Sequence, residues 1–166
     1  MVLYSFYIFD RHTECIYSRR WTPRPTSSSS KPTRPESSSS ITSNGPQPGR
    51  KVLAHSDDEK LIFGLVFSLR NMVQKLGGED STFLSYRTGE YKLHYYETAT
   101  RMKFVMLTDT KQNNLRPYLH QIWANLWVEF VVKNPLAPVE HPGGVGVAND
   151  MFEKGLEAFI TAVLPA

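Results

Sequence analysis

Three strand-like segments, joined by connections of only two residues, constrain the fold of this chain more than any other feature. The segments span 82–88, 91–98 and 101–109, and the connections are Gly89-Glu90 and Ala99-Thr100. Connections this short can join only antiparallel neighbours, because a parallel pair needs a crossover of a dozen residues or more. The sequence therefore predicts an antiparallel three-stranded meander.

A second strand pair is predicted at the N-terminus. Segment 2–9 is rich in β-branched and aromatic residues, a turn follows at Asp10-Arg11-His12, and segment 14–21 returns to apolar residues. The hairpin brings the predicted sheet to five strands. Because the meander strands carry apolar side chains on both faces, we expect helices to cover both faces.

Helix signals fill the remaining sequence. Ser56 to Glu59 have the spacing of a capping box before a helix that reaches Leu76 and ends at Gly77-Gly78. Asn114 is predicted to cap a second helix over 115–133, and a third helix is predicted over 149–164. The predicted order is β-β-α-β-β-β-α-α, which is an α/β (α+β) fold.

Segment 22–55 differs in composition from the rest of the chain. It holds two runs of four serines and six of the eleven prolines, and it carries five Lys or Arg residues against one Glu. Such a segment buries too little apolar surface to offset its ordering entropy. We interpret 22–55 as a disordered insertion within one domain spanning 1–166. Its charge of +4 exceeds the net +3 of the whole chain, so the basicity does not predict a nucleic-acid surface.

No pattern in the sequence predicts catalysis, a cofactor or a metal ion. The glycines follow neither the Walker nor the dinucleotide-binding pattern, and the five histidines lack metal-ligand spacing. Cys15, the single cysteine, is predicted to be a strand residue that packs and does not react. The apolar N-terminus is interpreted as a strand and not as a signal peptide, and no apolar run is long enough to span a bilayer. We therefore expect a non-catalytic chain with no cofactor.

Four stretches of sequence carry a resemblance to a known family. They are the opening Tyr-Ile-Phe-Asp-Arg at 7–11, Leu-Val-Phe-Ser-Leu-Arg at 65–70, Tyr-Lys-Leu-His-Tyr-Tyr-Glu-Thr at 91–98 and Val-Glu-Phe-Val-Val-Lys-Asn-Pro-Leu at 128–136. With the order of elements, they resemble the subunit-one (Bet-five type) family of the TRAPP (transport protein particle) complex, whose fold is longin-like or sedlin-like. The resemblance implies a five-stranded antiparallel sheet with one helix on one face and two on the other.

The resemblance also implies a function. Members of this family are core subunits that join a second longin-like subunit and Bet-three-type subunits. The assembled complex tethers vesicles and promotes guanine-nucleotide exchange on a Rab-type GTPase in ER-to-Golgi and Golgi traffic. The chain would then be cytoplasmic, peripheral at ER–Golgi intermediate and Golgi membranes, and would bind no nucleic acid.

Two readings of the same fold remain as alternatives. A longin-type adaptor small chain is one, and a SNARE regulatory domain is the other. A SNARE is expected to carry a C-terminal heptad segment and usually a membrane anchor, and the residues up to Ala166 show neither.

The first helix suggests where a partner binds. At about 100° per residue, one broad stripe is predicted to pack on the sheet. Phe63 and Phe67 fall outside it, one turn apart and beside Arg70 and Gln74, so we predict a protein interface there. The resemblance points to the same helix. The predicted stripe comprises Leu61, Ile62, Leu65, Val66, Leu69, Met72, Val73 and Leu76.

The second helix holds a further candidate. Val128 and Val132 are predicted to lie opposite its core stripe, where they would contact either the last helix or another chain. The core stripe is formed by Leu115, Tyr118, Leu119, Ile122, Trp123, Leu126, Trp127 and Phe130.

Overall fold

The computed structural model describes residues 1–24 and 55–164. Within these residues the chain forms five strands, which are β1 (Leu3–Phe9), β2 (Cys15–Arg20), β3 (Ser85–Arg87), β4 (Lys92–Glu97) and β5 (Lys103–Thr108). All pairs are antiparallel, and the strand order is β2-β1-β5-β4-β3. The predicted hairpin and meander are thus confirmed. β3 is shorter than predicted, since only three residues of 82–88 pair with β4.

Pairing of β1 with β5 joins the hairpin to the meander. Tyr7 lies opposite Val105 and Ile8 lies opposite Phe104 in this ladder. Both strands are buried along their full length. Their sequences are nearly continuous apolar runs, as expected for strands that helices cover on both faces.

Three helices cover the sheet. α1 spans His55–Gly77 and α3 spans Asp150–Val163. α2 begins as an α-helix over Arg116–Gln121 and continues over Ile122–Val132 with wider, i→i+5 turns. A short 3₁₀ turn at Pro142–Gly144 lies in the connection between α2 and α3.

The two faces of the sheet hold separate apolar cores. α1 covers the first face, and α2 and α3 cover the second, as predicted. The first core is formed by Tyr4, Tyr7, Phe9, Ile62, Val66, Phe83, Leu93, Tyr95, Val105 and Leu107. The second is formed by Leu3, Phe6, Ile8, Ile16, Tyr17, Phe104, Met106, Leu115, Leu119, Ile122, Leu126, Trp127, Val131, Val147, Phe152, Leu156 and Ile160.

The start of α1 differs from its prediction. The helix has already begun at His55, so Ser56 to Glu59 lie inside its first turns and the capping box is wrong. Glu59 accepts a hydrogen bond from the Ser18 hydroxyl at 2.5 Å, and the carboxylate of Asp58 is buried against the sheet. These acidic side chains bind groups on β1 and β2, which local sequence spacing does not show.

Asp58 links α1 to both strands of the hairpin. Its carboxylate accepts a hydrogen bond from the Tyr7 hydroxyl at 2.6 Å and forms ion pairs with Arg20, at 2.7 Å, and with Arg24. The carboxylate is 2% exposed. Three donors on one buried carboxylate fix where α1 begins on the sheet.

The predicted insertion lies mostly outside the described residues. Only its first three residues, 22–24, and its last, His55, belong to the part of the chain that the structure describes. Among the described residues, no helix combines the length and the apolar character that crossing a bilayer needs.

Candidate interaction surface

The α1 face that packs on the sheet is narrower than predicted. Ile62 and Val66 are buried, and Leu65, Leu69 and Val73 are partly buried against the same core. With 23 residues α1 is about 34 Å long, whereas the seven residues of β1 extend about 23 Å. A helix that is longer than the sheet cannot be covered along its whole length.

Three residues assigned to the packed stripe are instead on the surface. Leu61 is 60% exposed, Met72 is 54% exposed and Leu76 is 83% exposed. Their assignment to the core was wrong. Leu61 and Met72 lie at the margin of the stripe, and Leu76 lies in the last turn. They add apolar area to a helix side that already faces solvent at Gly64, where a Cβ would meet no atom within 4 Å.

Phe63 was predicted to lie outside the face that packs on the sheet, but it contacts the sheet. Its ring lies 5.4 Å from that of Phe9 on β1 and 5.7 Å from that of Phe67, centroid to centroid. Phe63 is partly buried, whereas Phe67 is 46% exposed. The three rings form a row from the sheet to the surface, so Phe67 is the residue of the pair that presents an aromatic ring to solvent.

Arg70 and Gln74 lie on the same side of α1. Arg70 forms two hydrogen bonds to Glu97 of β4, from Nε to Oε2 at 2.8 Å and from Nη2 to Oε1 at 3.1 Å. The Tyr95 hydroxyl donates to the same carboxylate at 3.0 Å. This hydrogen bonding to Glu97 raises the pKa of Arg70, and burial with the Glu97 charge raises the pKa of Tyr95. The guanidinium is therefore held in one orientation.

A cavity of about 70 Å³ opens beside this ion pair. Arg70, Gln74, Phe83 and Tyr95 contribute to its lining. The structure thus brings Phe67, Arg70 and Gln74 to one side of α1, and Arg70 and Gln74 line a small recess with Tyr95 and Glu97 of β4. Aromatic side chains and arginine are enriched at the centres of protein interfaces.

The second candidate pair lies elsewhere, on the opposite side of the sheet. Val132 is 62% exposed, but Val128 packs partly against the second core and does not face away from it. Val131, which the α-helical period left out of the core stripe, is 1% exposed. The reason is the wide helix, in which the Lys133 amide donates to the Val128 carbonyl five residues earlier. An α-helical wheel therefore misplaces the side chains beyond Ile122.

Two titratable groups that could carry chemistry are in unreactive settings. Burial and the Glu59 charge raise the pKa of the Cys15 thiol to about 12, so the nucleophilic thiolate is scarce at neutral pH. Burial lowers the pKa of His94 to about 4, and its Nε2 lies 3.0 Å from the Thr108 hydroxyl. Both residues behave as parts of the sheet.

Comparison with known proteins identifies the family. The model of the Sybindin-like family matches residues 3–163, which is nearly the whole chain. The chain belongs to the Sybindin-like family. The α+β sheet with its three helices fits this assignment and confirms the longin-like fold. Relatives named bet5 or subunit 1 of the transport or trafficking protein particle confirm the resemblance to the subunit-one family.

Three relatives match almost end to end. The chain is 38% identical to the transport protein particle subunit bet5 of Schizosaccharomyces pombe, covering 96% of each chain. It is 33% identical to the trafficking protein particle complex subunit BET5 of Saccharomyces cerevisiae, covering 99% of each. It is also 33% identical to the trafficking protein particle complex subunit 1 of Rattus norvegicus, covering 98% of this chain and 94% of the relative.

Proposed function

We propose that this chain is a core subunit of a TRAPP complex and acts through protein–protein contacts. The observation that carries the proposal is the near-complete match to three proteins named as subunits of that complex. A match that covers both chains almost fully supports the same role more strongly than a shared fold would.

The proposed contact surface is the outer side of α1. Its exposed apolar groups flank the side that faces solvent at Gly64: Phe67, 46% exposed, lies on one flank, and Leu61, Met72 and Leu76, each at least 54% exposed, lie on the other. Arg70 and Gln74 border the same surface. We assign to this surface a second longin-like subunit, with Bet-three-type subunits completing the complex.

The assembled complex would promote nucleotide exchange on a Rab-type GTPase and tether vesicles between ER and Golgi. In such exchange the complex binds the nucleotide-free GTPase more tightly than the loaded one, and linkage then weakens nucleotide binding by the same factor. The chain would shape a docking surface and supply no reactive group. It would be cytoplasmic and associate with these membranes only peripherally, through the complex.

Purification from native cells tests the proposal directly. A tagged chain should recover the other TRAPP subunits in stoichiometric amounts, and the recovered complex should release labelled GDP from a Rab-type GTPase. Recovery of clathrin-adaptor subunits would support the adaptor alternative, and recovery of SNARE partners would support the regulatory-domain alternative. The matched control is the Phe67→Ala chain, which should recover less of the longin-like partner at equal expression.

A further inference from the structure

A groove of about 490 Å³ lies on the side of the sheet opposite α1. Its floor is apolar, with two indole rings, Trp123 and Trp127, beside Ile16 and Met102. The turn between β1 and β2 forms one wall, and the connection after α2 forms the other. The volume falls in the range of ligand-binding clefts, and the lining combines a mostly apolar surface with a few polar groups at the edge.

The wide helical turns of α2 build this floor. Trp123, Trp127, Val128 and Val132 all line the groove. Their spacing of four to five residues matches the i→i+5 bonding of Ile122–Val132. Wide turns of this kind are rare and are frequently found at functional sites.

The two walls are held together at the mouth. Glu140 pairs with Arg11 and lies 3.4 Å from His12 Nε2, and these hydrogen bonds lower the pKa of Glu140. The Gly143 amide donates to Glu14 Oε1 at 2.7 Å in the same region. The mouth is therefore a formed structure, tied across by paired charges.

Charge decides which occupant fits. Among the carboxylates and guanidinium groups that line the groove, Asp10 and Glu140 outnumber Arg11 by one. Arg11 already binds Glu140. An anionic ligand such as a phosphate headgroup, a fatty carboxylate or an acidic peptide would meet a net negative rim. An uncharged or weakly basic apolar ligand meets no such penalty.

Exposure of the rim favours a macromolecule over a small molecule. Val132, at the end of α2, is 62% exposed, and Val139, in the connection after α2, is 99% exposed, and both line the groove. A small apolar ligand seated on the two tryptophans would leave both valines in water. A polypeptide that continues past the groove would cover them.

We propose that this groove docks an apolar segment of another protein, with large aliphatic or aromatic anchors and no acidic residue among them. The chain then has two binding surfaces on opposite sides of one sheet. Binding at the groove does not depend on which partner binds α1, so this inference goes beyond the role proposed for α1.

Site-specific crosslinking in the intact complex tests this docking. Val139→benzoylphenylalanine places a photoreactive group at the groove mouth of the full chain, purified in the complex that it forms in cells. Met151→benzoylphenylalanine is the control, since Met151 is 61% exposed on α3 and does not line the groove. The adduct from Val139 should map to an apolar, acid-free segment of another polypeptide.

A synthetic peptide of the mapped segment then measures the contact. It should bind the purified full chain, and Val132→Asp should weaken binding at least tenfold, while Met151→Asp changes it less than twofold. Both positions are exposed, so both variants should keep the parental melting temperature. The Val139 adduct should also persist in the Phe67→Ala chain, which separates this site from α1.

Several results would overturn the proposal. In the crosslinking experiment, these are the absence of an adduct above the Met151 control, adducts only with lipid or with another copy of this chain, and an adduct with a segment rich in Asp or Glu. In the peptide experiment, it is normal binding of the peptide to the Val132→Asp chain. Loss of the TRAPP partners with retention of the Val139 adduct would contradict the proposed function and leave the groove proposal standing.

Discussion

The hydroxyl of Tyr7 donates a hydrogen bond of 2.6 Å to the carboxylate of Asp58, which joins the middle of β1 to the first turns of α1. Arg20 and Arg24 bind the same carboxylate. Tyr7 is fully buried, and the two arginines are 28% and 25% exposed, so water reaches this cluster only from the arginine side.

We expect Asp58→Ala to destabilise the chain by about 3 kcal/mol, because two arginines and a buried hydroxyl would lose their common partner. Urea unfolding followed by circular dichroism measures the change. Asp57→Ala is the control, since Asp57 is exposed in the same turn and should change stability by less than about 0.5 kcal/mol. Equal stability of the two variants would show that the buried ion pairs contribute little.

Deletion of 26–47 should leave the melting temperature within a few degrees. These residues lie outside the described part of the chain; the expectation rests on their Ser- and Pro-rich composition and on the slow dependence of loop-closure entropy on loop length. Arg24 and Asp58 lie on either side of the deletion and are already paired, so the ends of a shortened loop would start close together. Loss of cooperative unfolding on deletion, or protected amide signals from the serine runs, would contradict the prediction.

Replacing the α1 aromatic residues should separate assembly from folding. Phe67→Ala should cost the isolated chain less than about 1 kcal/mol because the ring is half exposed, whereas Phe63→Ala should cost more because Phe63 packs on Phe9. At an interface centre, Phe67→Ala should cost about 2 kcal/mol of binding, or roughly thirtyfold in capture of a longin-type partner. Thermal melting and pull-down on the same samples measure both effects.

The control for the α1 variants is Leu65→Ala, a partly buried residue of the packed side, which should lower stability before it lowers binding. If Phe67→Ala unfolds as readily as Leu65→Ala, the ring belongs to the core. If it stays folded and binds normally, the partner lies elsewhere, and Val128 with Val132 is the next surface to test.

Mild acid should destabilise the fold through His94. The folded pKa of about 4 lies below the unfolded value of about 6.5, so the unfolded chain binds the proton more readily between these values. The stabilising effect of a neutral His94 is complete above pH 6.5 and is lost as pH falls towards 4. Between pH 7 and pH 5 the linkage amounts to about 2 kcal/mol.

Urea unfolding at the two pH values measures this linkage. His94→Gln should remove most of the difference, while His120→Gln, at an exposed histidine, should retain it. A pH dependence that survives His94→Gln would assign the effect to other groups.

The purified chain should bind no guanine nucleotide and should hydrolyse none. Its sequence lacks the glycine-rich phosphate loop that such binding uses. Isothermal titration with GDP and GTP tests this, with a Rab-type GTPase as the positive control. Micromolar binding by the chain alone would contradict its role as a docking subunit.

Strand pairing was predictable because it depends on local signals. Two-residue connections force the meander, and the turn at Asp10-Arg11-His12 forces the hairpin, so little freedom remains for the sheet. The pairing of β1 with β5 was not predicted, because the connection between hairpin and meander is long and no local signal determines it; the family resemblance implied only a single five-stranded sheet.

Side-chain environments on the helices were less predictable. Periodicity gives the angle between two residues of a helix, but it does not give the width of the contact with the sheet. Leu61 was therefore predicted to be packed and is exposed, whereas Phe63 was predicted to be exposed and is partly buried. It also assumes 3.6 residues per turn, which fails for Val128 and Val131 in the wide part of α2. The partners of Asp58 come from β1 and β2, which spacing within α1 cannot reveal.

The central place of β1 has a consequence for the newly made chain. β1 pairs with β5, and 93 residues lie between Phe9 and Lys103. At about 5–20 residues per second, the ribosome needs roughly 5–20 s to deliver β5 after β1. Throughout that interval one edge of a mostly apolar strand has no neighbour. The 30 residues at 25–54 account for about 2–6 s of the delay, so their length sets part of the time during which the nascent chain is open to aggregation or chaperone capture.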